Sequence, residues 1–149
     1  MKGLRANDHG CKSQESKTKF QKTIQTEKIA KAEAAGAKPR DLEDRTFLFA
    51  QSVRKLVKQL PKTISNLEDG QLVRASGSVA ANWIEADEAL SKKDFVFRVK
   101  ICRKEAKESR LFLRLVDAEP GTNIRREALS AEARELVLIF ASIVSKATL

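Results

Sequence analysis

Ser91–Val116, SKKDFVFRVKICRKEAKESRLFLRLV, is the stretch from which the rest of this chain can be read. Turned at about 100° per residue, its side chains sort by direction. Phe95, Val99, Cys102, Ala106 and Leu113 share a narrow arc, the i, i+4, i+7 stripe of a helix that faces a core. Lys92, Lys93, Lys100, Arg103, Lys104, Lys107, Arg110 and Arg114 gather on a second side. A third side mixes Phe97, Ile101, Phe112 and Leu115 with Asp94, Glu105 and Glu108. Such a helix has a dry face, a basic face and a mixed apolar and acidic face, and two of the three need a partner.

Outward from this helix, Ser91 is a good N-cap, with Asp94 at the third helical position as a weaker capping-box acid. Upstream, Leu72, Ala75, Val79, Trp83, Ala86 and Leu90 form a core stripe that predicts a helix over about 66–89. A second face of it carries Val73, Gly77, Ala80 and Ile84. Gly70 and Gly77 weaken helix propensity by about 1 kcal/mol each, so something else must stabilise this helix, and small residues at that spacing let another helix approach. Between the two faces runs a polar row, Arg74, Ser78, Asn82 and Glu85.

Further upstream, Asp41 reads as an N-cap, and Glu43 and Asp44 sit in the first turn where the helix dipole favours acids. Phe49, Val53, Leu56 and Leu60 repeat at helical spacing, edged by Thr46, Ala50 and Val57. Pro61 ends that helix because it has no N–H to donate and restricts Leu60. The predicted helix spans about 42–60. Downstream, the long helix is predicted to end near Asp117, and Glu119-Pro120-Gly121-Thr122-Asn123 is a turn signal. A last helix over about 124–146 carries Leu129, Leu136, Phe140, Ile143 and Ala147, with Ala133 and Ile139 beside them and Ser130 able to cap a restart. No segment reads as a strand. The fold expected is all-α, an antiparallel up-down four-helix bundle.

Composition sets outer limits. The 149 residues suit one helical core. The longest purely apolar run, Leu136–Ala141, is far short of the roughly 18 residues of a membrane span, so no membrane is expected. The N-terminus has no apolar signal core, which predicts a cytoplasmic protein. The net charge is +9, but residues 1–40 hold 10 of the 29 Lys/Arg and only 4 of the 20 Asp/Glu. Residues 41–149 are nearly balanced, so their basic face matters as a local patch. Residues 1–40 carry few large apolar side chains and read as a disordered or loosely helical extension, distinct from a domain at 41–149.

Several chemistries have little to stand on. The sole histidine, His9, lies in the extension, so a Ser–His or Cys–His pair and a Glu-x-x-His di-metal centre have no histidine in the domain. Cys11 and Cys102 are far apart in unlike settings, and Cys102 reads as a small core residue rather than a metal ligand or disulfide partner. Glu85-x-x-Glu88 and Glu105-x-x-Glu108 resemble the paired motifs of all-α nucleotide pyrophosphohydrolases, where facing carboxylates would hold Mg²⁺. Direction opposes that: Glu88 points away from the core stripe, and Lys104 and Lys107 flank the other pair. Ion pairing such as Asp94 with Arg98 and Lys104 with Glu108 is the simpler reading. No cofactor, no metal and no catalytic residue are assigned, and a non-enzyme is expected. Trp83, Phe49, Phe95 and Phe140 read as core anchors. With no tyrosine and no aromatic interleaved in the basic face, phosphate contact is the mode left for nucleic acid.

Two blocks, DLEDRTFLFAQSVRKLVKQLPKTISN (41–66) and SVAANWIEADEALSKKDFVFRVKICRKEAKESR (78–110), resemble the bacterial 23S rRNA intervening-sequence proteins, or S23 ribosomal proteins. Arg45-Thr46, Leu60-Pro61, Asn82, Glu85-Ala86 and Ser91-Lys92-Lys93-Asp94-Phe95 fall in that family's order and spacing. The last helix follows more loosely through ELVLIFASIV, residues 1–40 have no counterpart, and Trp83 and Phe112 stand where other aromatics are expected. The resemblance implies an up-down four-helix bundle forming a ring-shaped homopentamer. A similar bundle serves diversity-generating retroelements as an accessory protein that binds nucleic acid and a reverse transcriptase. It implies no catalytic residues.

Residue reading and resemblance converge on an oligomer, because the second apolar faces of two helices exceed what one bundle can bury. Phe97, Ile101, Glu105, Glu108 and Phe112 are the interface expected. Arg74, Ser78, Asn82 and Glu85 are expected to form a polar network at a helix or subunit contact. The eight cations of the basic face are expected to meet RNA or DNA phosphates. The alternatives are an adaptor for a protein partner and a Mg²⁺-dependent nucleotide hydrolase.

Overall fold

The computed structural model describes residues 42–66 and 69–149, with four α-helices and no strand among them. The extension at 1–40 and the Asp41 cap lie outside the described residues. The helices are α1 (Leu42–Val57), α2 (Asp69–Asp87), α3 (Lys92–Leu115) and α4 (Pro120–Thr148). A single 3-10 turn, Ile64–Asn66, interrupts the connection from α1 to α2.

Each helix turns its predicted stripe inward. Phe49, Val53, Leu56, Leu72, Val79, Val99, Cys102, Ala106, Leu113, Leu136 and Phe140 form one buried cluster. Burial of each large aliphatic or aromatic side chain here is worth about 1.5–3 kcal/mol, which is what holds the helices together. Trp83 packs on this cluster from its edge, with its ring 6.0 Å from that of Phe140. The broadest seams are α2–α3 and α3–α4, then α1–α2, while α1 meets α4 along the narrowest. A bidentate ion pair bridges that narrow seam, Arg45 Nε and Nη2 donating to Glu132 at 2.6 and 3.0 Å.

The helix ends depart from the sequence reading where loops are fixed from a distance. α1 stops at Val57, yet Leu60 is still buried, so the chain turns inward before Pro61. Asn66, expected to open α2, is instead a buried bridge. Its side-chain amide donates to the carbonyls of Pro61 (2.9 Å) and Asp117 (3.0 Å) and accepts from the Asp117 N–H (2.8 Å). α2 also ends early, at Asp87. Leu90, placed on the core stripe by spacing, therefore lies in the connection and is 99 % exposed. α4 begins at Pro120, whose fixed φ suits a first helical position, and runs through Ser130 without a restart. Its buried row is Leu129, Ala133, Leu136, Phe140 and Val144, with Ile143 only packed beside it.

Gly77 is approached as expected, but by a side chain. The Arg54 guanidinium of α1 lies 3.4 Å from where a Cβ would stand, and nothing comes within 4 Å of that point at Gly70.

Candidate functional site

α3 positions the site. Ser91 Oγ accepts the Asp94 N–H at 3.1 Å, so the predicted cap starts the helix and sets the phase of every cation that follows. Lys92 and Lys93 stand in the first turn, where the helix dipole disfavours positive charge. Lys92, Lys93, Lys100, Lys104, Lys107 and Arg114 are exposed, and Arg103 and Arg110 are half-buried. Among the described residues, only Lys104 of these eight has an ion-pair contact, with Glu105 at 3.9 Å. Among the described residues the face is cationic and its charge is almost wholly unpaired.

The acids of α3 are spent elsewhere. Arg74 of α2 reaches across to both Glu105, at 3.4 Å, and Glu108. Glu105 is thereby buried, with only 5 % of its surface exposed. This replaces the expected Lys104–Glu108 pairing. It also places Glu105 in the contact between α2 and α3, while on the same mixed face Phe97 and Leu115 stay more than half exposed. Ile101 and Phe112 are half-buried, Phe112 against the core.

The polar row of α2 converges on Arg98 as well as on Glu105. Arg98 pairs with Glu85, lies 3.7 Å from Asp94 and donates to Asn82 Oδ1 at 3.5 Å. The Asn82 amide in turn donates to the Ser78 carbonyl at 2.9 Å and to the Ser78 hydroxyl at 3.2 Å. The row thus divides along the α2–α3 seam into two polar clusters, Arg74 with Glu105 and Glu108, and Ser78, Asn82 and Glu85 with Arg98. The carboxylates of Glu85, Glu105 and Glu108 face guanidinium groups rather than one another. Among the described residues no three His, Cys, Asp or Glu side chains gather as a metal-binding group.

On the other flank of α3, against α4, two recesses open. One, of about 350 Å³, is lined by Lys107, Arg110 and Arg114 from α3 and Arg134 from α4, over Leu111, Val137 and Leu138. The next, of about 240 Å³, is lined by Leu113, Arg114, Arg126, Glu127 and Ser130. Arg126 and Arg134 carry no signal in the sequence, because only the register of α4 on α3 brings them beside Arg114 and Lys107.

The family model of the 23S rRNA-intervening sequence protein matches residues 41–139. The chain belongs to this family. The match takes in α1, α2, α3 and most of α4, so it covers the cationic face, the α3–α4 recesses and the buried core up to Leu136. The intervening-sequence fold is also that of a crystal structure from Bacteroides thetaiotaomicron, a protein with unknown function from the S23 ribosomal protein family. The two share 25 % identity with a TM-score of 0.61, over 70 % of this chain and 98 % of that one. Among curated proteins none matches the chain. No helix among the described residues is long and apolar enough to cross a membrane.

Proposed function

We propose that this intervening-sequence protein is a non-enzymatic, oligomeric, nucleic-acid-binding bundle whose α3 cations contact RNA or DNA phosphates. The observation that carries the reading is a charge imbalance. Seven of the eight Lys and Arg of the basic face make no ion pair among the described residues, while Glu105, Glu108 and Glu85 are drawn to Arg74 and Arg98 on the other side. Self-repulsion on a face of that kind is relieved by a polyanion, with release of the polyanion's counterions. Connections as short as those from α2 to α3 and from α3 to α4 favour consecutive helices running antiparallel, up and down. The exposed Phe97 and Leu115 favour copies meeting in a closed assembly, and the family resemblance implies a five-membered ring. Several modest patches on one ring add through multivalency.

Light scattering on the purified chain, with and without a generic structured RNA, tests the reading. A particle several times the chain mass should take up RNA at low salt and release it at moderate salt. Replacing Lys100, Arg103, Lys104 and Lys107 by Glu should abolish uptake without changing the particle mass. Uptake indifferent to salt, or surviving the four replacements, would refute the phosphate reading. An assembly that ignored RNA would leave an adaptor for a protein partner, the role that the exposed Phe97 and Leu115 also suit.

A further inference from the structure

The two recesses between α3 and α4 share Arg114, so they are compartments of one groove along the seam. The cations around it are Lys107, Arg110, Arg114, Arg126 and Arg134, and the sole carboxylate lining it is Glu127. That carboxylate is partly occupied, accepting from Asn123 at 3.0 Å and lying 3.9 Å from Arg126. Each compartment also contains a guanidinium whose Nε is buried without a hydrogen-bond partner, Arg110 in the larger and Arg126 in the smaller. Arg98 has an Nε without a hydrogen-bond partner too, but its Nη1 is committed to Glu85 and Asn82. Arg110 has no such commitment among the described residues. A buried N–H left without a partner is destabilising, so a bound acceptor that draws these guanidinium groups toward it offsets that cost.

We infer that this groove seats consecutive phosphates of a nucleic-acid strand, with Arg110 and Arg134 on opposite walls of the first seat and Arg114 and Arg126 at the second; the inference rests on the nucleic-acid reading above. Charge favours this occupant, since five cations line the groove against one carboxylate, a balance that suits a polyanion. Chemistry favours it as well. Four of the five cations are arginines, whose planar forks match the paired oxygens of a phosphate. Leu111 and Leu138, about half exposed at the rim, offer an apolar wall to a sugar edge and strengthen the charge contacts beside it. Base identity would not be read, because no hydrogen-bonding side chain other than Ser130 and the charged groups lines the groove.

The test is fluorescence anisotropy with a labelled single-stranded oligonucleotide and the full chain, across a salt series. Arg126→Gln with Arg134→Gln should weaken binding at least tenfold at low salt and lower the slope of log K against log salt by about 1.4, the share of two single-strand phosphate contacts. Thermal melting should be unchanged, and Arg134→Lys should restore the slope while recovering only part of the affinity. Lys92→Gln with Lys93→Gln, on α3 but outside the groove, should cost less than the groove pair. Wild-type binding by the groove variant, with binding still lost on charge reversal at Lys100, Arg103 and Lys104, which lie outside the groove, would overturn the groove and leave the open basic face standing. No binding by the wild-type chain would overturn both. Poly-glutamate that competes as well as the oligonucleotide at equal charge would overturn the phosphate assignment.

Discussion

Cys102 shows what a single buried side chain commits to. Its Sγ lies 3.6 Å from the Val79 carbonyl oxygen, which accepts the thiol proton across the α2–α3 seam. Burial, against a smaller opposing backbone hydrogen bond and aided by the charges of Glu105 and Glu85, pushes the thiol from its ordinary 9.0 up to about 12. A raised value favours the neutral form in the folded state. Its contribution to stability is therefore complete below pH 9.0 and is lost as pH rises from there toward about 12. In a Cys11→Ser background, a thiol reagent at pH 8 should leave the folded protein unlabelled and label it fully in denaturant. Labelling at native rates would mean that the α2–α3 seam opens. The small-core reading of this residue came from its place on the stripe alone, since sulfur at a 3.6-residue period needs no further context. Leu90 failed by the same rule, because periodicity continues on paper past the point where the backbone leaves the helix.

At the scale of the element, α2 is the least self-sufficient helix. It carries Gly70 and Gly77, and its polar row depends on two arginines for order, Arg74 of its own and Arg98 of α3. The seam is asymmetric. Glu105 is almost fully buried, whereas Arg74 is half exposed. Removing the arginine leaves the buried Glu105 carboxylate only Lys104, at 3.9 Å, whereas removing Glu108 merely frees the half-exposed Arg74. Arg74→Met should accordingly destabilise by about 1–3 kcal/mol, and Glu108→Gln by no more than about 1 kcal/mol, in urea denaturation. Equal costs would show that Lys104 alone suffices to hold Glu105. The existence and inward faces of all four helices were legible in the sequence, because a 3.6-residue apolar period survives any tertiary context. Their ends were less so. Pro120 looked like punctuation and is a first helical residue, and Asn66 looked like a helix start and is a cross-link between loops. Arg126 and Arg134 were not legible at all, since no pattern within one helix encodes which residues of the next will stand opposite.

Across the whole molecule, buried apolar stripes hold three of the seams and a bidentate ion pair reinforces the narrowest. The distribution of charge follows from that arrangement. Glu105 and Glu108 of α3 face Arg74 of α2, the basic-face cations of α3 face outward and toward α4, and a single helix separates the two. The Asn66 bridge has its own consequence for this arrangement. It ties the chain after α1 to the chain after α3, 51 residues apart, through one amide that uses both its donors and its acceptor. The Asp117 N–H it engages lies outside every helix and would ordinarily exchange with solvent within moments. Held at 2.8 Å by a side chain that is itself 5 % exposed, it should exchange only when the two loops separate. Hydrogen exchange should find Asp117 protected to the level of the α3 interior, and in Asn66→Asp, whose carboxylate cannot donate to either carbonyl, that protection should vanish. A loop proton would then serve as the clock for opening of the entire domain.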